Sequence, residues 1–369
     1  MAKAPQTPQD GVVLSKFSGI RNTNSRERLS PEELERAVNV DLDDRGQLHR
    51  RRGYTQVLSA NVSSLFTADN GMVYGVINGV LSLIDPNYTT YALQSGIGPA
   101  PLEYVQLGHD IYLTSETNSG RIDQRTNTVL PWGEEVSPGD WLSPVVNPTP
   151  TLSVVGGRLL GAPPLAAHMD YLNGRIYMAS QKTLWATELY LYNYTDKTRN
   201  FLQFEETITM VGAVPDGLYI GTTAALWFLS GPFGKMKREM VIDHGVIPGS
   251  MVKVCADLVN PSVPLDQFSP DKNAIMFITT KGMCAGLVSG QVFNKSETDV
   301  LLPDAISAAA LFRKQDGVHQ YIGVLDSGGS PANAARIGDY VDAEIRRAGD
   351  WGYLCDGVRI GESIVADIV

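Results

Sequence analysis

The chain has 369 residues, a formal charge of −10, 43% hydrophobic residues and 19% charged ones, with 36 glycines and 21 prolines. So acidic a body excludes a protein that holds nucleic acid by neutralising phosphates, and the Gly and Pro content favours many short strands over long helices. No segment reaches the roughly 18 apolar residues of a membrane span, and Met1 to Pro8 has no apolar leader core, so a soluble compartment is expected. On that expectation the N-x-[ST] triplets at Asn61, Asn87, Asn193 and Asn294 carry no glycan meaning.

Residues 1–56 form a distinct arm with eight arginines and little strand signal. Ser30-Pro31-Glu32-Glu33 is a capping box with Pro at the first helical position, which predicts a short helix from Pro31 to about Ala37. Val38 to Asp43 and Gly46 to Arg50 follow as a predicted hairpin through Asp43-Asp44-Arg45-Gly46. The same stretch imitates the start of a calcium loop, but Arg45 and Arg52 occupy positions where oxygen ligands belong.

Beyond the arm, a tight turn leads six times into a run of aromatic and β-branched residues. The runs are Gly71–Ile77, His109–Thr114, Asn173–Met178, Asp216–Gly221, Asn273–Ile278 and Asp316–Gly323, with starts 38, 64, 43, 57 and 43 residues apart. Gly, Asn and Asp tolerate positive φ, while Val, Ile, Tyr and Phe suit a pleated, half-buried surface. A four-stranded propeller blade takes roughly 40 to 50 residues. The expected fold is therefore all-β: a β-propeller of about six blades over 57–330, preceded by the arm with its short helix. A Pro-rich insertion at 136–164 accounts for the widest gap, Gly96–Pro101 is a shorter Pro-rich interruption, and 260–272 reads as a further loop. Residues 331–369 are expected to close or latch the propeller.

Signatures of catalysis are missing from the sequence. Cys255, Cys284 and Cys355 are an odd, widely spaced set, read as reduced and mostly buried thiols. His49, His109, His168, His244 and His319 are not spaced as a metal pair. There is no phosphate loop, nucleophile elbow or dinucleotide motif, and no cofactor or metal is expected. Arginine makes planar, two-pronged pairs with carboxylates, which an acidic chain supplies in plenty. Arg21, Arg26, Arg28, Arg50, Arg51, Arg52 and Tyr54, with Trp141 in the insertion, are the interface candidates.

Phe17-Ser-Gly-Ile-Arg-Asn22 and Ala37-Val-Asn-Val-Asp-Leu-Asp-Asp-Arg-Gly-Gln-Leu-His-Arg-Arg-Arg-Gly-Tyr54 resemble the opening of phage virion proteins. In these an N-V-D segment and a G-x-L-x-x-R-x-G-[YF] segment precede a propeller. Gly217–Leu229, Asp243-His-Gly-Val-Ile-Pro-Gly-Ser250 and Ala274–Met283 resemble the middle of the tail-nozzle proteins of short-tailed phages. The resemblance covers 17–54 and 211–295 and implies a non-enzymatic virion protein. It implies a homohexameric ring that passes the genome without binding it specifically and docks adaptor and receptor-binding tail proteins. An acidic channel would repel the DNA backbone, which the net charge permits. The competing reading is a carbohydrate-active propeller acting on the host envelope; the sialidase-type Asp-box is missing from the sequence.

Overall fold

A computed structural model describes residues 16–23, 26–34, 40–42, 47–50, 56–133, 153–155, 158–256, 274–294, 296, 302, 304–315, 318–326, 343–346 and 352–355. These residues form an all-β propeller of five four-stranded antiparallel sheets and a sixth, two-stranded one. Blade 1 runs Val62–Thr67, Val73–Ile77, Val80–Ile84, Thr90–Gln94, and blade 2 runs Glu103–Leu107, Asp110–Thr114, Ser119–Asp123, Thr128–Leu130. Blade 3 is His168–Leu172, Arg175–Ser180, Thr183–Ala186, Phe201–Gln203. Blade 4 is Ile208–Val214, Gly217–Thr222, Leu226–Ser230, Lys237–Ile242, and blade 5 is Val252–Val254, Ala274–Thr279, Gly282–Gly286, Val292–Asn294. Ser307–Gln315 pairs with Val318–Asp326 in the sixth sheet. First strands of neighbouring blades approach one another, which sets them at the axis, while the fourth strands of blades 1 and 4 are largely exposed.

All six runs read from the sequence are the second strands of their sheets. Each carries one aromatic side chain, Tyr74, Tyr112, Tyr177, Tyr219, Phe277 or Tyr321, no more than 3% exposed. These rings fill apolar cores between consecutive blades: Tyr74 between blades 1 and 2, Tyr112 between 2 and 3, and Tyr177 between 3 and 4. Tyr219 and Phe277 share the core between blades 4 and 5, and Tyr321 lies between blade 5 and the sixth sheet. A ring at this position buries enough apolar area to contribute about 2 kcal/mol or more, so sequence spacing and blade packing are one fact seen twice.

In the arm, the described part of the expected helix is something else. Pro31 and Glu32 form a turn, and Glu33–Leu34 is a strand paired in parallel with Gly19–Ile20. One half of the capping box forms, Ser30 N–H donating to Glu33 Oε2 at 3.0 Å, while Glu33 N–H donates to the Ser30 carbonyl at 3.0 Å as a turn bond. They close one turn only, because so short a helix cannot offset its own nucleation. Strand pairing instead lets Ile20 join the core of the last two sheets, with Leu34 packed against it. Val40–Leu42 and Leu48–Arg50 pair antiparallel, as the hairpin reading has it.

Part of the Pro-rich insertion has regular structure. Ser153–Val155 and Arg158–Gly161 form a hairpin, extended by Thr195–Asp196 from blade 3. Most of the rest of that insertion, and 260–272, lies outside the described residues. Near the C-terminus Ala343–Arg346 pairs with Gly352–Cys355, beside Val318–Asp326, and Gly19–Ile20 approaches the second of these strands.

Candidate functional site

Two polar constructions tie the blades together. On the first strand of blade 3, alternation turns Met169 toward blade 2 and Leu172 toward blade 4, and Asp170 shares the face of Leu172. The buried Asp170 carboxylate accepts from Ala213 N–H of blade 4 at 2.6 Å, from Tyr171 N–H at 2.7 Å, and from the Lys253 ammonium of blade 5. One carboxylate therefore links the first strands of three consecutive blades. His168 of the same strand faces Glu103 of blade 2, with Nδ1 and Oε1 3.5 Å apart.

The second construction is Asp243–Ser250, the connection from blade 4 to blade 5. Val246 N–H donates to the Thr222 carbonyl of blade 4 at 3.0 Å, and Ile247 N–H to Ile278 of blade 5 at 2.9 Å. Ala308 N–H of the sixth sheet donates to the Pro248 carbonyl at 2.8 Å. Ser250 Oγ accepts from Ile278 N–H at 3.0 Å, and the buried Tyr321 hydroxyl donates to the Ser250 carbonyl. The segment is a strap across three sheets.

Within the strap, Asp243 Oδ1 lies 3.3 Å from His244 Nδ1, and His244 Nε2 lies 3.1 Å from Thr279 Oγ1, the order of an acid, a base and a hydroxyl nucleophile. The hydrogen-bond polarity rules that role out for Thr279. Its hydroxyl proton goes to the Gly282 carbonyl at 2.8 Å, so Nε2 must be the donor to Oγ1, and the side chain is fully buried. The His244 contact, with Lys281 3.9 Å away, holds the Asp243 carboxyl below the usual carboxylate range.

The predicted interface arginines divide. Arg21 is paired within the chain, Nη1 to Glu33 Oε1 at 2.7 Å, and the Ser30 amide with this guanidinium lowers the Glu33 pKa. Arg28 and Arg50 are exposed, and Arg26 opens a short 3-10 turn, its side chain outside the described set. Arg51, Arg52, Tyr54 and Trp141 also lie outside the described residues. The sequence reading missed Asp170 and Lys253, whose separation of 83 positions leaves no local signal. It also missed the apolar run Leu189-Tyr-Leu-Tyr192, which resembles a strand but forms a tight loop at one end of blade 3.

No family model matches the chain, and no curated protein matches it in sequence. Among solved structures it is similar to the extracellular domain of a putative hybrid two-component system from B. thetaiotaomicron, with 11% identity and a TM-score of 0.48. That match covers 86% of this chain and 36% of the other, so the chain spans about a third of that protein's length. It is also similar to the N-terminal domain of Nup159, at 12% identity and TM-score 0.43 over 73% and 74% of the two chains. A third similar structure is BBS1N in complex with ARL6DN, at 10% identity and TM-score 0.42 over 78% and 84%. Likenesses this distant do not bear on function.

Proposed function

We propose that this chain is a non-enzymatic structural component of a bacteriophage tail: a nozzle-like ring in the virion through which the genome leaves. The observation that carries the reading is the coincidence of family-like motif and architecture. Asp243–Ser250, within the stretch resembling tail-nozzle proteins, is the strap that joins three sheets, and Val40 and Asp41 of the N-V-D segment lie on the strand Val40–Leu42 paired with Leu48–Arg50. The strap serves rigidity, which suits a part built into a particle. In this proposal the chain assembles as a homohexamer, docks an adaptor or portal-proximal ring and a fibre or spike, and passes DNA without specific contacts. The net charge of −10 supports the last point.

Mass measurement on intact phage particles is the test. The chain is expected in virions at a fixed stoichiometry, and electron microscopy with a label on this chain is expected to place it at the tail. Particles that are infectious and complete without it overturn the proposal.

A further inference from the structure

An outer strand presents a row of unpaired amides and carbonyls to any extended chain, and proteins blunt such edges by keeping them short or charged. Four of the five outer strands of the four-stranded blades are blunted in one of these ways. Thr128–Leu130, Phe201–Gln203 and Val292–Asn294 have three residues each, and Lys237–Ile242 exposes Lys237, Arg238 and Glu239. Thr90–Gln94 of blade 1 has five residues and neither device. It lies within Asn87–Ser95, a stretch without a charge, a proline or a glycine, and its Thr90, Tyr91, Ala92 and Gln94 are exposed. Tyr91 is 51% exposed. An uncharged edge rich in aromatic and β-branched residues has the composition that accepts a further strand.

One bond fixes which way the backbone of this edge points. Asp85 N–H donates to the Thr89 carbonyl at 3.0 Å, so Thr89 faces the third strand of the blade. In an antiparallel ladder successive residues direct their amide and carbonyl to opposite sides. Tyr91, opposite Leu83, therefore also faces inward, and Thr90 and Ala92 turn their backbone groups away from the blade. The bulge in this strand begins only beyond them, since Ala92 is opposite Ser82 and Gln94 is opposite Leu81. The Tyr91 side chain shares the face of Leu83, toward blade 2.

We propose that this edge pairs antiparallel with the same edge of a second copy of the chain, about a two-fold axis at Tyr91. In that register Thr90 lies opposite the second copy's Ala92 and exchanges both hydrogen bonds with it, and the symmetric pair does the same. All the outward backbone groups of the two residues are then satisfied in both copies. The two Tyr91 rings meet at the position between, where side chains of an antiparallel pair come closest, as an aromatic cross-strand pair. Charge selects the same partner. A body of −10 repels its own copies, and the repulsion is least where the meeting surfaces are both uncharged. The pairing is isologous, whereas a ring is held by heterologous contacts, so it is distinct from the hexamer contact and does not rest on the tail reading.

Sedimentation of the purified full chain, with amide exchange measured at low and high protein concentration, tests the pairing. Wild type is expected to pass from monomer to dimer as concentration rises, with exchange at Thr90 and Ala92 slowed in the dimer. Raising salt from about 0.05 M to about 0.5 M should strengthen the dimer, because screening removes the repulsion between two acidic bodies and an uncharged contact has no charge attraction to lose. Ala92→Pro removes an outward amide where an edge strand tolerates proline, and Tyr91→Lys sets two ammonium groups opposite one another. Each should weaken the dimer about tenfold or more, with the far-ultraviolet circular dichroism of the chain unchanged. Unslowed exchange at Thr90 and Ala92 at every concentration, or a Tyr91→Lys chain that dimerises as wild type does, overturns the pairing. Ring-sized species with these two amides unprotected also overturn it and leave the tail reading standing. An edge-paired dimer of a chain that virions lack upholds the pairing and ends the tail reading.

Discussion

Asp170 shows how much a single side chain can organise when it is buried with every oxygen engaged. Its carboxylate has two backbone donors and one ammonium from three successive blades, so the group is fixed in place before any apolar packing is considered. Removing one partner of such a set leaves the others unsatisfied, and that is worth more than the net value of the bonds themselves. Asp170→Ala would strand the Ala213 amide and the Lys253 ammonium, and a loss of about 3 kcal/mol is expected by urea denaturation. Asp170→Asn keeps an acceptor for Ala213 and should lose roughly half as much. A loss below about 1 kcal/mol for the alanine variant would mean that water replaces the carboxylate without penalty.

At the scale of elements, the strap Asp243–Ser250 and the arm show opposite relations between local sequence and structure. The strap depends on a close backbone approach: Gly249 has φ +80°, and a Cβ there would stand 2.0 Å from the Ala308 carbonyl oxygen. Gly249→Ala must therefore push the sixth sheet away or break the Pro248–Ala308 bond. A destabilisation of about 3 kcal/mol is expected, with faster amide exchange at Ala308, and an unchanged exchange rate would refute it. In the arm, Ser30 and Glu33 were legible as a capping pair, and the Ser30 amide does bond the Glu33 carboxylate. The continuation as helix was not, because Ile20 and Leu34 find a core that only the folded propeller supplies. Second strands were legible for the complementary reason, since each joins a local turn signal to an aromatic that must be buried. Thr195–Asp196, by contrast, leaves blade 3 to pair with a hairpin more than thirty positions earlier, and no local pattern foretells that choice. The Leu189–Tyr192 run carried the period of a strand without one, because Gly174 captures its backbone as a loop.

Over the whole molecule, each of the five apolar cores contains one buried tyrosine from a second strand: Tyr74, Tyr112, Tyr177, Tyr219 and Tyr321. Burial raises the pKa of every one, with Tyr112 pushed up to about 12. A raised folded pKa contributes stability that is whole below the unfolded phenol value, near 10, and is lost as pH climbs through the folded value. Carboxylates act on the other side: Glu33, Asp123 and Asp243 are all lowered, so their stabilisation is present above the ordinary carboxylate range and is lost as pH falls below it. The two sides differ in reach. Acid releases Glu33 from Ser30 and Arg21, a contact of the arm, and a local loosening of the Gly19–Ile20 and Glu33–Leu34 pair is expected. Alkali attacks a group in every core at once, and cores in series share blades, so opening one exposes the next. Spectrophotometric titration beside far-ultraviolet circular dichroism distinguishes these outcomes. The buried five should ionise only together with the loss of strand signal. Should those five ionise while the dichroism holds, the tyrosine cores are not closed to solvent and the serial coupling of the blades fails.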